Sequence, residues 1–177
     1  MKARIFALST TLLCLFAASA LTAGEVEITK SHLCCGKCVK AANGSLKNIE
    51  GITAVTVDKS HGHVTFKATN AKVAKAGINA YAAAGLAGKA THAGKAIAFP
   101  TMGAKKGVKS NRISFGGVHL CCGKCLKAAK NAFGGVKGCK AVAVDKKAGT
   151  VTLEGKGIDQ VSAQKALLAA GFFGKIK

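Results

Sequence analysis

Tryptophan is absent from this 177-residue sequence, tyrosine and proline occur once each, methionine twice, and only seven residues are acidic. These shortages narrow the function. Binding single-stranded nucleic acid relies on aromatic platforms for the bases; aromatics make up only 5% here and the lysines are spread along the chain, so nucleic acid is not an expected partner despite a formal charge of +20. There is no catalytic base arrangement and no phosphate-cradling glycine loop, so the chain is not read as an enzyme. Long apolar runs are also scarce, with one near the N-terminus, Ile5 to Ala18.

That run follows the basic start Met1-Lys2-Ala3-Arg4, and no charged residue occurs again until Glu25. Ala18-Ser19-Ala20 and Leu21-Thr22-Ala23 offer small-residue cleavage sites. The pattern predicts a signal peptide over residues 1–23 and a secreted, periplasmic protein. Cys14 would leave with it. The cationic balance of the remainder favours anionic partners, either an acidic protein or peripheral contact with an anionic envelope.

The chain is rich in cysteine, and the cysteines are clustered. Cys34-Cys35-Gly36-Lys37-Cys38 and Cys121-Cys122-Gly123-Lys124-Cys125 are the same five residues, each preceded by His-Leu. The offset of 87 positions also aligns Val26 with Ile113, Asp58 with Asp145 and Gly62 with Gly149. This is an internal duplication. It divides the chain into units at 24–90 and 111–177, joined by a linker at 91–110 that holds the only proline, Pro100. With Cys139 the mature chain keeps seven cysteines, an odd number that cannot all pair within one chain. Compact triplets staple no long loops, so the clustering reads as thiol chemistry.

Alternation in Glu25 to Thr29 and Arg112 to Phe115 predicts a strand before each triplet. Val39, Ala42, Leu46 and Ile49, like Leu126, Ala129, Phe133 and Val136, fall at helical spacing after it. Hairpins follow around Asp58 to His63 and Asp145 to Gly149. Second helices at about Ala71 to Ala84 and Asp159 to Ala170 end at Gly85 and Gly171, residues suited to a left-handed cap. A short last strand closes each unit. The fold class is therefore α+β: two ferredoxin-like βαββαβ sandwiches in tandem, preceded by a signal peptide.

The thiolate is the reactive and metal-binding form of cysteine, and it is favoured at a helix N-terminus and beside a cation such as Lys37 or Lys124. Cysteines three apart at such a turn can converge on a soft ion. Here the chain resembles the heavy-metal-associated domain family, over nearly all of 25–90 and 111–177. Leu33 and Leu120 stand where that family usually has Met, two before the first cysteine of a Cys-x-x-Cys pair. The resemblance makes Cys35 and Cys38, and Cys122 and Cys125, the metal ligands. Cys34 and Cys121 depart from the pattern and are candidate supplementary ligands.

Other residues compete less well. His32 and His119 read as strand-end residues, and His61 and His63 as turn residues at the end of the sheet away from the cysteines. Cys139 replaces Ile52 and reads as a small buried hydrophobe. Leu86 and Phe172 should lie beside the cysteines, packing or shielding the site. A thioredoxin-like enzyme would need an aromatic before the first cysteine and a proline facing the pair, and covalent haem would need His at Val39 or Leu126. The expected function is exported binding of a soft ion, Cu(I) before Hg(II) or Zn(II), for sequestration or for transfer with a donor or acceptor protein. Thiol-disulfide exchange and a cationic envelope interaction protein are the alternatives. Two copies of the motif predict two ions per chain at independent sites.

Overall fold

The structure is a computed structural model describing residues 23–177. The expected signal segment, Ala23 apart, lies outside the described residues, and so does Cys14. The first unit runs β1 (Gly24–Thr29), α1 (Gly36–Leu46), β2 (Ile52–Asp58), β3 (His63–Ala68), α2 (Ala71–Ala83) and β4 (Lys89–His92), followed by β5 (Lys95–Ile97). The second runs β6 (Lys109–Gly116), α3 (Gly123–Asn131), β7 (Cys139–Asp145), β8 (Thr150–Asp159), α4 (Gln160–Ala169) and β9 (Lys175–Ile176). Two antiparallel sheets result, ordered β2-β3-β1-β4-β5 and β7-β8-β6-β9. This is a mixed α/β architecture consistent with two ferredoxin-like units.

The alternation seen in sequence explains the layers. Val26 and Ile28 point into the core while Glu25 and Glu27 face out, and Val64, Phe66 and Ala68 cover the same face from β3. Against that face α1 lays Cys38, Ala42 and Leu46, spaced by one turn, and α2 adds Ala74, Ile78 and Tyr81. Gly77 permits the close approach of α2, since a β-carbon there would fall 2.7 Å from Phe66 Cζ. Asn70 and Asp159 start α2 and α4 by accepting the Val73 and Ser162 amides, at 2.9 and 2.8 Å. The middle of α1 contains Asn43-Gly44, so its helicity rests on this packing.

Part of the segment read as linker is ordered sheet: β4 extends to His92 and β5 pairs with it. The rest is anchored. Met102 is fully buried and its carbonyl accepts the Ile176 amide at 2.8 Å, while Gln160 and Gln164 on α4 accept the amides of Lys105 and Ala104. The linker is thus a tacked-down strap.

Antiparallel pairing of β1 with β3, Ile28 opposite Val64, brings the β2–β3 turn to the end where β1 leaves the sheet. Ser31 N–H donates to Gly62 O at 2.9 Å, and Val118 N–H to Gly149 O at 2.9 Å. The hairpin turns therefore flank the cysteine loops. Their expected position at the far end was wrong, because a strand, a returning helix and a second strand bring the next turn back to the first strand's exit.

The units meet at this end through reciprocal backbone bonds. Gly171 O accepts from Ala87 N–H at 3.0 Å and from His32 N–H at 3.5 Å; Gly85 O accepts from Phe173 N–H at 3.1 Å and from His119 N–H at 3.3 Å. Leu86 and Phe172, both fully buried, form an antiparallel bridge between the units. Gly85 and Gly171 have φ of 80° and 81°, as left-handed caps. Any β-carbon there would strike the facing unit's backbone, at His119 N and Gly117 O or at His32 N.

Candidate metal centre

Each triplet sits where a strand's exit becomes a helix. Cys35 and Cys122 are the extended N-cap residues of α1 and α3, and Cys38 and Cys125 lie in the first turn facing the core, fully buried. Within each pair the sulfurs are 3.7 Å apart. The sequence brought these four thiols together in twos; the structure also brings the two pairs to each other, with Cys38 and Cys125 sulfurs 3.9 Å apart. The reading of two independent sites gives way to one shared cluster.

Cys34 and Cys121 are responsible for the merger. Cys34 Sγ lies 3.4 Å from both Cys122 and Cys125, and Cys121 Sγ lies 3.3 Å from Cys35 and 3.4 Å from Cys38. Each extra thiol is thus nearer the other unit's pair than Cys34 is to Cys38 of its own, at 3.8 Å, or Cys121 to Cys125, at 3.6 Å. The remaining neighbours, Cys34 with Cys35, Cys121 with Cys122 and Cys35 with Cys122, lie within 4.8 Å. Every sulfur then stands opposite one other: Cys34 opposite Cys121, Cys35 opposite Cys125, Cys38 opposite Cys122. Twelve of the fifteen sulfur pairs are thus neighbours, and the three left over give the connectivity of an octahedron.

The environment separates the thiols by acidity. Backbone amides at the start of α1, Cys38 N–H first, together with the Cys121 thiol, bring Cys35 down from 9 to about 6. Burial would raise Cys125, but hydrogen bonds from His32 and Cys34 outweigh it and bring the thiol down to about 5. Burial raises Cys34, Cys121 and Cys38, and the first two also serve as donors to neighbouring sulfurs. The two most acidic thiols, one from each unit, are not among the neighbouring pairs named above.

His32 was read as a bystander, yet its imidazole lies within 4.8 Å of the Cys34 and Cys125 sulfurs, its ring stacked on Phe172 at 4.6 Å between centroids. His61 and His63 instead bond Asp58 at 2.6 Å and Glu27 at 2.8 Å, and neither belongs to a metal-type group among the described residues. Cys139 is half-buried, its thiol directed to Ala141 O at 3.6 Å, so it is less enclosed than its alignment with Ile52 implied. The cluster opens on one side into a cleft of about 830 Å³ lined by Cys35, Cys121, Cys122, Lys37, Lys40 and Asn43 among others.

No family model matches the chain, and no curated protein matches it. Among solved structures it is similar to the N-terminal soluble domains of Bacillus subtilis CopA, at 17% identity, covering 88% of this chain and 95% of that chain, with a TM-score of 0.32.

Proposed function

We propose that the protein is an exported metal-binding protein of the heavy-metal-associated type, which takes up a soft ion through cysteine thiolates and either sequesters it or passes it on. The observation that carries this reading is the convergence of six free thiols from two strand-to-helix turns, with two of them acidified. Thiolate donors select soft ions, Cu(I) foremost, with Hg(II) and Zn(II) as competitors. Cys35, Cys38, Cys122 and Cys125 are the principal ligands, and Cys34 and Cys121 supplement them across the unit boundary. No catalytic step is required.

The cleft beside Cys35, Cys121 and Cys122 supports transfer, because a partner's thiol approaching there meets the less buried sulfurs first. Lys37 and Lys40 on its wall favour an acidic donor or acceptor protein. Export rests on the basic and apolar segment of residues 1–23 and places the protein in the periplasm. The test is equilibrium dialysis of reduced protein against Cu(I), Zn(II) and Hg(II) in competition with a chromogenic chelator. Retention that disappears when Cys35, Cys38, Cys122 and Cys125 are all changed to Ser supports the proposal; a reduced wild-type protein that retains none of the three ions overturns it. A processed N-terminus in a periplasmic extract checks the location.

A further inference from the structure

Building on the proposed function, we infer that the six sulfurs form a single cage for a polynuclear Cu(I)-thiolate cluster of four ions, in place of two separate two-coordinate sites. An octahedron has eight triangular faces, and alternate faces number four. Cys35/Cys38/Cys121, Cys34/Cys38/Cys125, Cys34/Cys35/Cys122 and Cys121/Cys122/Cys125 are such a set, in which no two faces share an edge and every sulfur belongs to two. The first has sulfur-sulfur edges of 3.3, 3.4 and 3.7 Å and the second 3.4, 3.8 and 3.9 Å. The other two are sulfur triplets within 4.8 Å. An ion bonded equally to three sulfurs at ~2.3 Å spans a triangle with edges of ~4.0 Å. To reach that size the edges of the first face lengthen by about 0.3–0.7 Å and those of the second by about 0.1–0.6 Å.

The same geometry discriminates between ions. Four mutually neighbouring sulfurs do not occur among the twelve contacts, so tetrahedral Zn(II) needs a nitrogen, such as that of His32 beside Cys34 and Cys125, as its fourth donor. A three-coordinate soft cation fits every face. Loading is ligand exchange without change of oxidation state: the thiols release their protons to solvent, each sulfur gives one lone pair to each of two ions, and four Cu(I) with six thiolates carry a net charge of −2. That charge lies at the N-termini of α1 and α3, with Lys37 and Lys124 next to it in sequence.

Each triangular face contains either Cys34 or Cys121, so removing both destroys every face and leaves only the two-coordinate pairs. The test titrates the full reduced chain anaerobically with Cu(I) supplied as its acetonitrile complex, read by native mass spectrometry and copper X-ray absorption. Wild-type protein is expected to fill cooperatively to four ions, with about three sulfurs per copper and a copper-copper shell. C34S/C121S should show a two-fold loss of capacity and about two sulfurs per copper, while C139S keeps the full load. Wild-type saturation at two ions without a copper-copper shell would overturn the cluster while leaving metal binding intact. Retention of no copper would overturn the proposed function and the inference with it. The wild-type stoichiometry decides the matter even if a variant fails to fold.

Discussion

Placed on the 87-residue offset, the two units agree where they face each other and differ elsewhere. The triplets and the turns at Gly62 and Gly149 superpose on that offset, and the glycines at 85 and 171, 86 residues apart, match in role, each making the same bond across the boundary or to the adjoining turn. Away from the boundary, β5 widens only the first sheet, and α1 spans 11 residues against 9 in α3. Buried Ser31 bonds the Tyr81 hydroxyl at 2.5 Å, where the second unit has Val118 and Leu168. Phe172 lies against His32 with the rings tilted by 30°, whereas Leu86, its partner in the bridge between the units, has no ring to offer. The lesson is that the constrained surface is the junction, which supplies the sulfurs' mutual geometry; each core is free to be filled in its own way.

The comparison breaks most completely if the junction is opened. Gly85→Ala with Gly171→Ala forces two alanines into left-handed backbone at about 1–2 kcal/mol each, before the collisions with the opposing unit. The expected outcome is a larger radius of gyration by X-ray scattering and a halved Cu(I) capacity, each unit keeping its own pair. Gly44→Ala is the control. That position is helical with open space around it, so the change should be neutral or stabilise by about 0.5–1 kcal/mol.

A second contrast is between loaded and empty protein, and the proposed export to an oxidising compartment gives it weight. Metal-free protein in air should form disulfides within the cysteine cluster, and Cu(I) should slow thiol modification in both units together. Equal modification rates with and without metal would contradict the shared cluster, as would protection confined to one unit.

A third test sharpens the difference in acidity. In reduced, metal-free protein, alkylation of Cys35 should have its midpoint near pH 6 and that of Cys125 near pH 5. Because both values lie below the ordinary 9, the stabilisation tied to these thiolates is complete above about pH 9 and is lost as the pH falls through 6 and 5. Denaturation midpoints of the metal-free protein should fall over that range. His32→Ala should raise the Cys125 midpoint and leave that of Cys35 in place.

The smallest expected effect concerns the buried Ser31–Tyr81 pair. Tyr81→Phe strands the Ser31 hydroxyl and should cost about 1 kcal/mol in urea unfolding; adding Ser31→Val, the second unit's solution, should recover most of it.

The strand and helix order was legible because alternation and helical spacing repeat twice, and each copy disambiguates the other. The principal thiols were legible for the same reason. What a self-comparison cannot display is the partner of a side chain in the other copy: aligning Cys34 with Cys121 says that they are equivalent, and hides that each serves the opposite pair. The position of the hairpin turns follows from the legible element order itself, since a strand, a returning helix and a second strand end where the first strand exits; its misplacement was an error of topology and not a missing signal. The burial of Met102 depends on long-range contacts that a stretch rich in small residues does not announce.

The reciprocal bonds of Gly85 and Gly171 describe a two-fold, self-complementary association of the kind made by identical subunits. A single unit carries only three of the six corners, so as a separate molecule it would need a second copy to complete the cage, with occupancy rising as the square of its concentration. Joining the units through the anchored segment 91–110 replaces that encounter with an internal one, independent of protein concentration. A scarce protein can then assemble its full set of ligands at any dilution.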